Sequence, residues 1–176
     1  NGNSMRTLNG AWSYSWQGEL TDRFASDYNT IYEAFVNTYG NNNVKYVPGV
    51  SYKDGGTYYD MVENSISKAV FEAKKSDYII LCLGETSYTE KPGDLNDLKL
   101  HDLQIKLANE LSKTDKPIIL ILNQGRPRLI TDIQGLMKAI INIYLPGNFG
   151  GNALADIVSG VVNPSGKLPY TYPAYP

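Results

Sequence analysis

The sequence predicts one α/β domain, a three-layer sandwich in which a mainly parallel, doubly wound sheet carries helices on both faces. Three apolar runs lead to it, over residues 78–83, 117–122 and 139–144. None alternates in and out as a half-exposed strand does, and continuous runs of this length mark strands covered on both faces. Stretches of helical periodicity separate the runs, so strand and helix alternate along the chain. Residues 1–176 read as a single domain without an internal repeat or long linker.

The first helix is expected over 22–39, where Phe24, Tyr28, Ile31, Tyr32, Phe35 and Val36 form one apolar stripe. Thr21 is placed as its N-cap and Gly40 as its stop. Residues 44–47 read as a short strand ended by Pro48-Gly49. A second helix is expected over 60–75, with Met61, Val62, Ile66, Ala69, Val70 and Ala73 on one face. Lys74 and Lys75 suit its C-terminal dipole. Between the first two apolar runs, Leu100, Leu103, Leu107 and Leu111 keep register in a helix over 100–112. A last helix over 152–159 follows the turn Pro146-Gly147-Asn148-Phe149-Gly150-Gly151, and 163–169 turn into a final extended segment.

The bulk numbers exclude several classes. Of 176 residues, 42% are hydrophobic and 19% charged, a globular balance. A net charge of −2 and a pI near 5.4 give no reason to expect nucleic acid or an anionic membrane as partner. No apolar run approaches the ~20 residues that span a bilayer. No signal peptide opens the chain, and its start at Asn1 without an initiator Met leads to the expectation of a piece of something longer. Cys82, the one cysteine, lies in an apolar run and reads as a buried structural thiol. Fourteen tyrosines beside many Asn and Gly suit sugar recognition, though packing and solubility also explain them.

Specific chemistries fall away in turn. With His101 the single histidine, no zinc site of the usual ligands can be assembled, and no Gly-x-Ser-x-Gly elbow offers a nucleophile for a Ser/His/Asp triad. His101 reads as a polar surface residue at a helix start. The segment 160–168 has five residues between its glycines and Leu168 where a magnesium-binding hydroxyl belongs, so it is not a phosphate loop. No Gly-x-Gly-x-x-Gly follows a strand. The acids at 94–97 are followed by Leu98 and Lys99 where a calcium loop needs a ligand and a glycine.

What remains is the loop after Leu83, Gly84-Glu85-Thr86-Ser87-Tyr88-Thr89-Glu90-Lys91-Pro92-Gly93-Asp94. It leaves the carboxyl end of a predicted strand, where open α/β sheets gather ligands. A carboxyl group held there can protonate a leaving oxygen, as glycoside cleavage requires. Solvated loop charges are the competing explanation. Glu85 follows the strand directly, so its side chain is expected near the sheet edge, bonding loop amides. Glu90 lies five residues on, where the loop can carry it outward.

Five ordered segments together resemble the C-terminal α/β sandwich domain of glycoside hydrolase family 3. They are Leu8-Asn9-Gly10-Ala11-Trp12-Ser13-Tyr14-Ser15-Trp16-Gln17-Gly18, the Glu85–Glu90 loop, Gly125-Arg126-Pro127, Leu145-Pro146-Gly147 with Gly150-Gly151-Asn152-Ala153, and Asn163-Pro164-Ser165-Gly166-Lys167-Leu168-Pro169. Ala11 stands where the family's second Gly of the first segment is found.

The resemblance implies a retaining, exo-acting, β-glucosidase-like enzyme that hydrolyses terminal β-linked sugars, with no cofactor and no metal. It implies that Glu90 is the proton donor and then the base, and that Trp16 is the aromatic platform for the sugar in the leaving-group subsite. Trp12 is read as packing internally, with sugar contact the less favoured alternative, and Arg126 is a candidate substrate contact that a turn-stabilising role explains without a sugar. The implied partners are an oligosaccharide or β-glucoside substrate and an N-terminal (β/α)8 barrel that carries the aspartate nucleophile. The implied location is secreted or periplasmic. Neither the barrel nor the family's usual first strand, which ends in Gly-Pro, is found in these residues, so the chain alone is expected to be inactive. The alternative from another class is a non-catalytic carbohydrate-binding or interdomain module of the same fold.

Overall fold

The computed structural model describes residues 1–53 and 55–175. Helix α1 (Met5–Asn9) opens the chain, with the Ser4 hydroxyl accepting from Thr7 N at 3.4 Å. It is too short for periodicity to reveal. A 3-10 turn, Trp16–Gly18, follows, and then α2 (Thr21–Phe24) and α3 (Ile31–Tyr39). The helix expected over 22–39 is thus two helices. Thr30 breaks it, because its hydroxyl accepts from Glu33 N at 3.2 Å while Glu33 Oε2 accepts from Thr30 N at 2.8 Å. This capping box starts a new helix at Ile31. Thr21 lies inside α2 rather than capping it, and Gly40 ends α3 as expected.

Strands β1 (Val50–Tyr52) and β2 (Met61–Glu63) pair antiparallel, with Ser51 opposite Val62. Helix α4 (Ile66–Ala73) begins only after Ser65, whose hydroxyl accepts from Lys68 N at 3.3 Å. The helix expected over 60–75 therefore starts six residues late. Val62 falls in phase with Ile66 and Ala69 on a helical stripe, and hairpin pairing of Met61–Glu63 overrides that coincidence. Residues 44–47 have no regular secondary structure and pair with no strand among the described residues. They line a cleft of about 1510 Å³ whose other side includes Ile80 and Cys82. The expectation of a strand there is corrected.

The sheet consists of β3 (Ile79–Gly84), β4 (Ile118–Asn123) and β5 (Ala139–Asn142), in the order β3-β4-β5 and parallel throughout. Leu81 pairs with Leu120, and Leu120 with Ile140. Between β3 and β4 lies α5 (Asp102–Ser112), capped by His101, whose Nδ1 accepts from Leu103 N at 3.1 Å. After β5 comes α6 (Gly150–Ser159). Each apolar run sits where the sequence predicted, with ends shifted by one or two residues.

Alternate strand residues feed two cores, as the period of a strand requires. Leu81, Leu83, Leu120 and Leu122 pack against α4 and α5 through Ile66, Ala69, Leu107 and Leu111. Ile80, Cys82, Ile119 and Ile121 face α1, α3 and α6 through Leu8, Ile31, Phe35 and Leu154. Helices therefore cover both faces, and the three-layer sandwich is the observed fold. Gly151 lets α6 lie against the start of α3, because a Cβ there would sit 2.6 Å from Asn29 O.

Candidate functional site

The loops that follow β3, β4 and β5 meet the 10–18 segment at the carboxyl edge of the sheet. The chain leaves β3 through Gly84 at φ 134°, where a Cβ would lie 2.1 Å from Asn123 O. Only glycine fits this approach. Gln104 on α5 grips Gly84 from behind. Its Oε1 accepts from Gly84 N and its Nε2 donates to Gly84 O, both at 2.8 Å, and the Tyr52 hydroxyl donates to the same carbonyl at 2.5 Å.

Glu85 is 2% exposed and fully engaged. Its Oε2 accepts from Gly125 N at 3.1 Å and Arg126 N at 3.0 Å, and its Oε1 accepts from Arg126 Nε at 2.8 Å. Arg126 Nη2 lies 2.8 Å from the same Oε1, and Arg128 Nη1 lies 3.5 Å from it. The expectation that Glu85 stays at the sheet edge and bonds loop amides is met. Arg126 also stacks on Tyr88 at 3.6 Å and donates from Nη1 to Gly93 O at 2.5 Å, drawing the start, middle and end of the 85–93 loop together. Its role as a turn-stabilising residue follows from these contacts.

Arg128, 1% exposed, stacks on Tyr58 at 3.9 Å and donates to Lys99 O, to which the Tyr58 hydroxyl also donates at 2.9 Å. Burial pushes the Tyr58 phenol up to about 12, against the pull of Arg128. Burial likewise raises Tyr88, helped by the charge of Glu85, and raises Tyr172, whose hydroxyl donates to Arg128 O at 2.6 Å. The loop base is a buried carboxylate between two guanidinium groups, walled by neutral phenols.

Glu90 is exposed at the outer bend of the loop, with φ 53° and ψ −151°. That region is essentially reserved for glycine, and a side chain there costs about 1–3 kcal/mol. The exposed Glu90 carboxyl makes no hydrogen bond or ion pair among the described residues. One residue earlier, Thr89 is held by the Gln17 side chain. Gln17 Nε2 donates to Thr89 O at 2.8 Å and Thr89 N donates to Gln17 Oε1 at 3.0 Å.

Gln17 adjoins Trp16, so one amide clamp joins the two segments that carry the sequence-predicted site residues, Trp16 and Glu90. Trp16 is 48% exposed and Trp12 67% exposed. The expectation that Trp12 packs internally is overturned, because residues 12–14 run over the surface after the turn at Gly10. Tyr14 stacks on Phe24 at 6.0 Å and accepts from Asn148 Nδ2 at 2.6 Å, which extends the aromatic rim towards Phe149. Chemically, the edge offers a free carboxyl on a braced loop beside exposed aromatic faces. Such an arrangement can pass a proton to an oxygen and stack on the apolar face of a sugar. Gln17, Gln104 and Arg128 were not singled out from the sequence.

Comparison with known proteins fits this geometry. The family described as glycosyl hydrolase family 3 C-terminal domain matches residues 2–175. A lysosomal beta glucosidase of Dictyostelium discoideum is 37% identical over 97% of this chain and 21% of its own length. A beta-xylosidase of Formosa agariphila is 33% identical over 70% of this chain and 17% of its own length. The crystal structure of a beta-glucosidase from Listeria innocua in complex with isofagomine superposes with a TM-score of 0.78. It is 24% identical, over 98% of this chain and 22% of its own length. The chain thus spans about a fifth of the length of these relatives.

Proposed function

The chain belongs to the glycosyl hydrolase family 3 C-terminal domain family, and from that premise we propose that it is the acid/base-bearing domain of a retaining, exo-acting β-glycosidase of β-glucosidase type. The single observation that carries the reading is Glu90, an unpartnered carboxyl on a backbone conformation that only a braced loop sustains. Natural loops seldom keep such strain without a use for it.

In this reading Glu90 first acts as a carboxylic acid. It gives its proton to the glycosidic oxygen as the bond from that oxygen to the anomeric carbon breaks and a partner carboxylate bonds the carbon from the opposite face. Glu90, now a carboxylate, takes a proton from water. The water oxygen bonds the anomeric carbon, and the partner carboxylate leaves. The two carboxyl groups must stand about 5–5.5 Å apart, and the second comes from an N-terminal (β/α)8 barrel. Trp16 supplies the platform for the leaving-group sugar. The substrates are β-glucosides or β-linked oligosaccharides, and the location is secreted or periplasmic, in keeping with the relatives named lysosomal and periplasmic.

The test is Glu90→Ala in the two-domain enzyme. Aryl β-glucosides with poor leaving groups should slow by about 10²–10⁴-fold, while those with very acidic leaving groups keep a fast first step. Azide should then restore turnover by attacking the glycosyl-enzyme without a base. Equal slowing of all substrates, with no azide effect, would remove Glu90 from the role. The purified 176-residue chain alone should not turn over an aryl β-glucoside.

A further inference from the structure

We propose that Gln17 is a positioning residue that sets the conformation of Glu90 and couples it to the aromatic segment at Trp16. The inference rests on the reading of Glu90 as the acid/base and adds what holds it in place.

The φ angle of Glu90 is a rotation relative to the Thr89–Glu90 peptide plane, and ψ a rotation relative to the Glu90–Lys91 plane. Gln17 Nε2 donates to Thr89 O at 2.8 Å, so it fixes the first plane directly. The return bond from Thr89 N to Gln17 Oε1, at 3.0 Å, holds the preceding Tyr88–Thr89 plane as well, so Thr89 is gripped on both sides. On the other side Glu90 O accepts from Gly93 N at 2.9 Å, which fixes the second plane. With both planes held, the values 53° and −151° are imposed on Glu90 from outside. Without the Gln17 bonds, nothing else among the described residues bonds the Thr89 backbone, and the Glu90 φ is free to relax.

Gln17 is itself a rigid post. Its own φ is 59°, it is 9% exposed, and its carbonyl accepts from Arg6 Nε at 3.1 Å and Nη2 at 2.8 Å. Arg6 stands in α1, where Asp22 Oδ1 accepts from Met5 N at 3.0 Å and Arg6 N at 3.1 Å. A hydrogen-bonded path therefore runs from α1 through Gln17 to Glu90. Because Trp16 precedes Gln17 in the same turn, the clamp ties the proposed sugar platform and proton donor into one unit.

The experiment compares Gln17→Leu, Gln17→Glu, Glu90→Ala and the double variant Gln17→Leu/Glu90→Ala in the two-domain enzyme, across aryl β-glucosides of graded leaving-group acidity. A positioning role predicts that Gln17→Leu lowers kcat/KM for poor leaving groups by about 10–100-fold, part of what a general acid supplies. For 2,4-dinitrophenyl β-glucoside the loss should stay under about 3-fold, since little protonation is needed. Gln17→Glu keeps the acceptor for Thr89 N and loses the donor to Thr89 O, so its selective loss should be intermediate. On the Glu90→Ala background, Gln17→Leu should cost less than about 3-fold more, because residues that act through one another are not additive.

Equal losses for all leaving groups, or losses that multiply in the double variant, would overturn the positioning role and leave Glu90 as the acid/base. If Glu90→Ala shows neither leaving-group dependence nor azide rescue, both readings fall together. Should Gln17→Leu fail to fold by thermal unfolding, Gln17→Glu decides by the same criteria.

Discussion

Replacing Glu85 with Ala should be a severe change at the loop base. The substitution removes the acceptor for Gly125 N, Arg126 N and Arg126 Nε, and the only carboxylate beside Arg128 among the described residues. Arg128 is 1% exposed, so its charge cannot turn to water without opening the base. Removing one partner of a buried ion pair costs about 3–5 kcal/mol. The two amides lie at the edge, where water entering the vacated space replaces part of their bonding, so a total near 4 kcal/mol is expected. That is a large part of the ~5–15 kcal/mol that holds a domain together. With a urea dependence of about 2 kcal/mol per molar, the unfolding midpoint should fall by about 2 M. Glu85→Gln should lose nearly as much, since its NH2 group would face donors and both guanidinium groups would lack a counter-charge. The measurement is equilibrium urea unfolding of each variant beside the parent. A midpoint shift for Glu85→Ala under about 0.3 M, at unchanged slope, would place it with ordinary surface substitutions and refute the buried network as a stabilising unit.

Glu90→Gly should do the opposite. Relief of about 1–3 kcal/mol of strain, less about 0.5–1 kcal/mol for the added freedom of glycine when unfolded, leaves a gain near 1 kcal/mol, or roughly 2–4 °C in Tm for a domain of this size. A fall in Tm would contradict the strained assignment. Alkaline pH should unfold the protein through its buried phenols. Tyr58 ionises near 10 when unfolded and near 12 in place, so the unfolded state binds fewer protons between these values and stability falls as pH rises from 10 towards 12. Tyr58→Phe should flatten that fall in urea midpoints measured at pH 9 and 11, and an unchanged slope would assign it to other groups. Trp16→Ala should weaken longer β-glucosides by about 1 kcal/mol, roughly fivefold in KM. Equal effects on long and short substrates would make Trp16 a packing residue.

The sheet was legible because its strands are apolar runs, largely buried in Ile79–Gly84 and Ile118–Asn123 as expected for covered parallel strands, whereas the edge strand Ala139–Asn142 is apolar yet leaves Ala139 and Ile140 exposed. The misread segments share one cause. Apolar phase persists through places where local hydrogen bonding decides the structure. Thr30 and Glu33 start a helix inside an expected one, and Val62 joins a hairpin while staying in helical phase with Ile66. Residues 44–47 carry a strand's composition without a paired neighbour. The 84–94 loop could be singled out because it is long and acidic at a strand's carboxyl end. The residues that brace it could not, because Gln17 and Gln104 act on backbone atoms 72 and 20 positions away. Amide clamps on backbone leave no periodic or charge pattern in a sequence.

Glu85 and Glu90 show how five residues of one loop separate structure from chemistry. Both are glutamates, and composition treats them alike. Glu85 receives donors on both oxygens from Gly125, Arg126 and the two guanidinium groups, so it has no free oxygen to offer a substrate. What it does is hold the base of the loop against β4's continuation and fix Arg126, which in turn holds Gly93 and Tyr88. Glu90 has the reverse inventory, with no partner for its oxygens and both adjoining peptide planes held. In the proposed role, Glu90 has to come within about 5–5.5 Å of a carboxylate on the proposed barrel, and freedom of the loop would not help, since each lost ångström of placement is lost rate. The buried ion pair, the Gln17 clamp and the strained bend are therefore one device. The first two supply the rigidity, and the third is its cost, concentrated at the single residue to which the proposal gives the proton transfer.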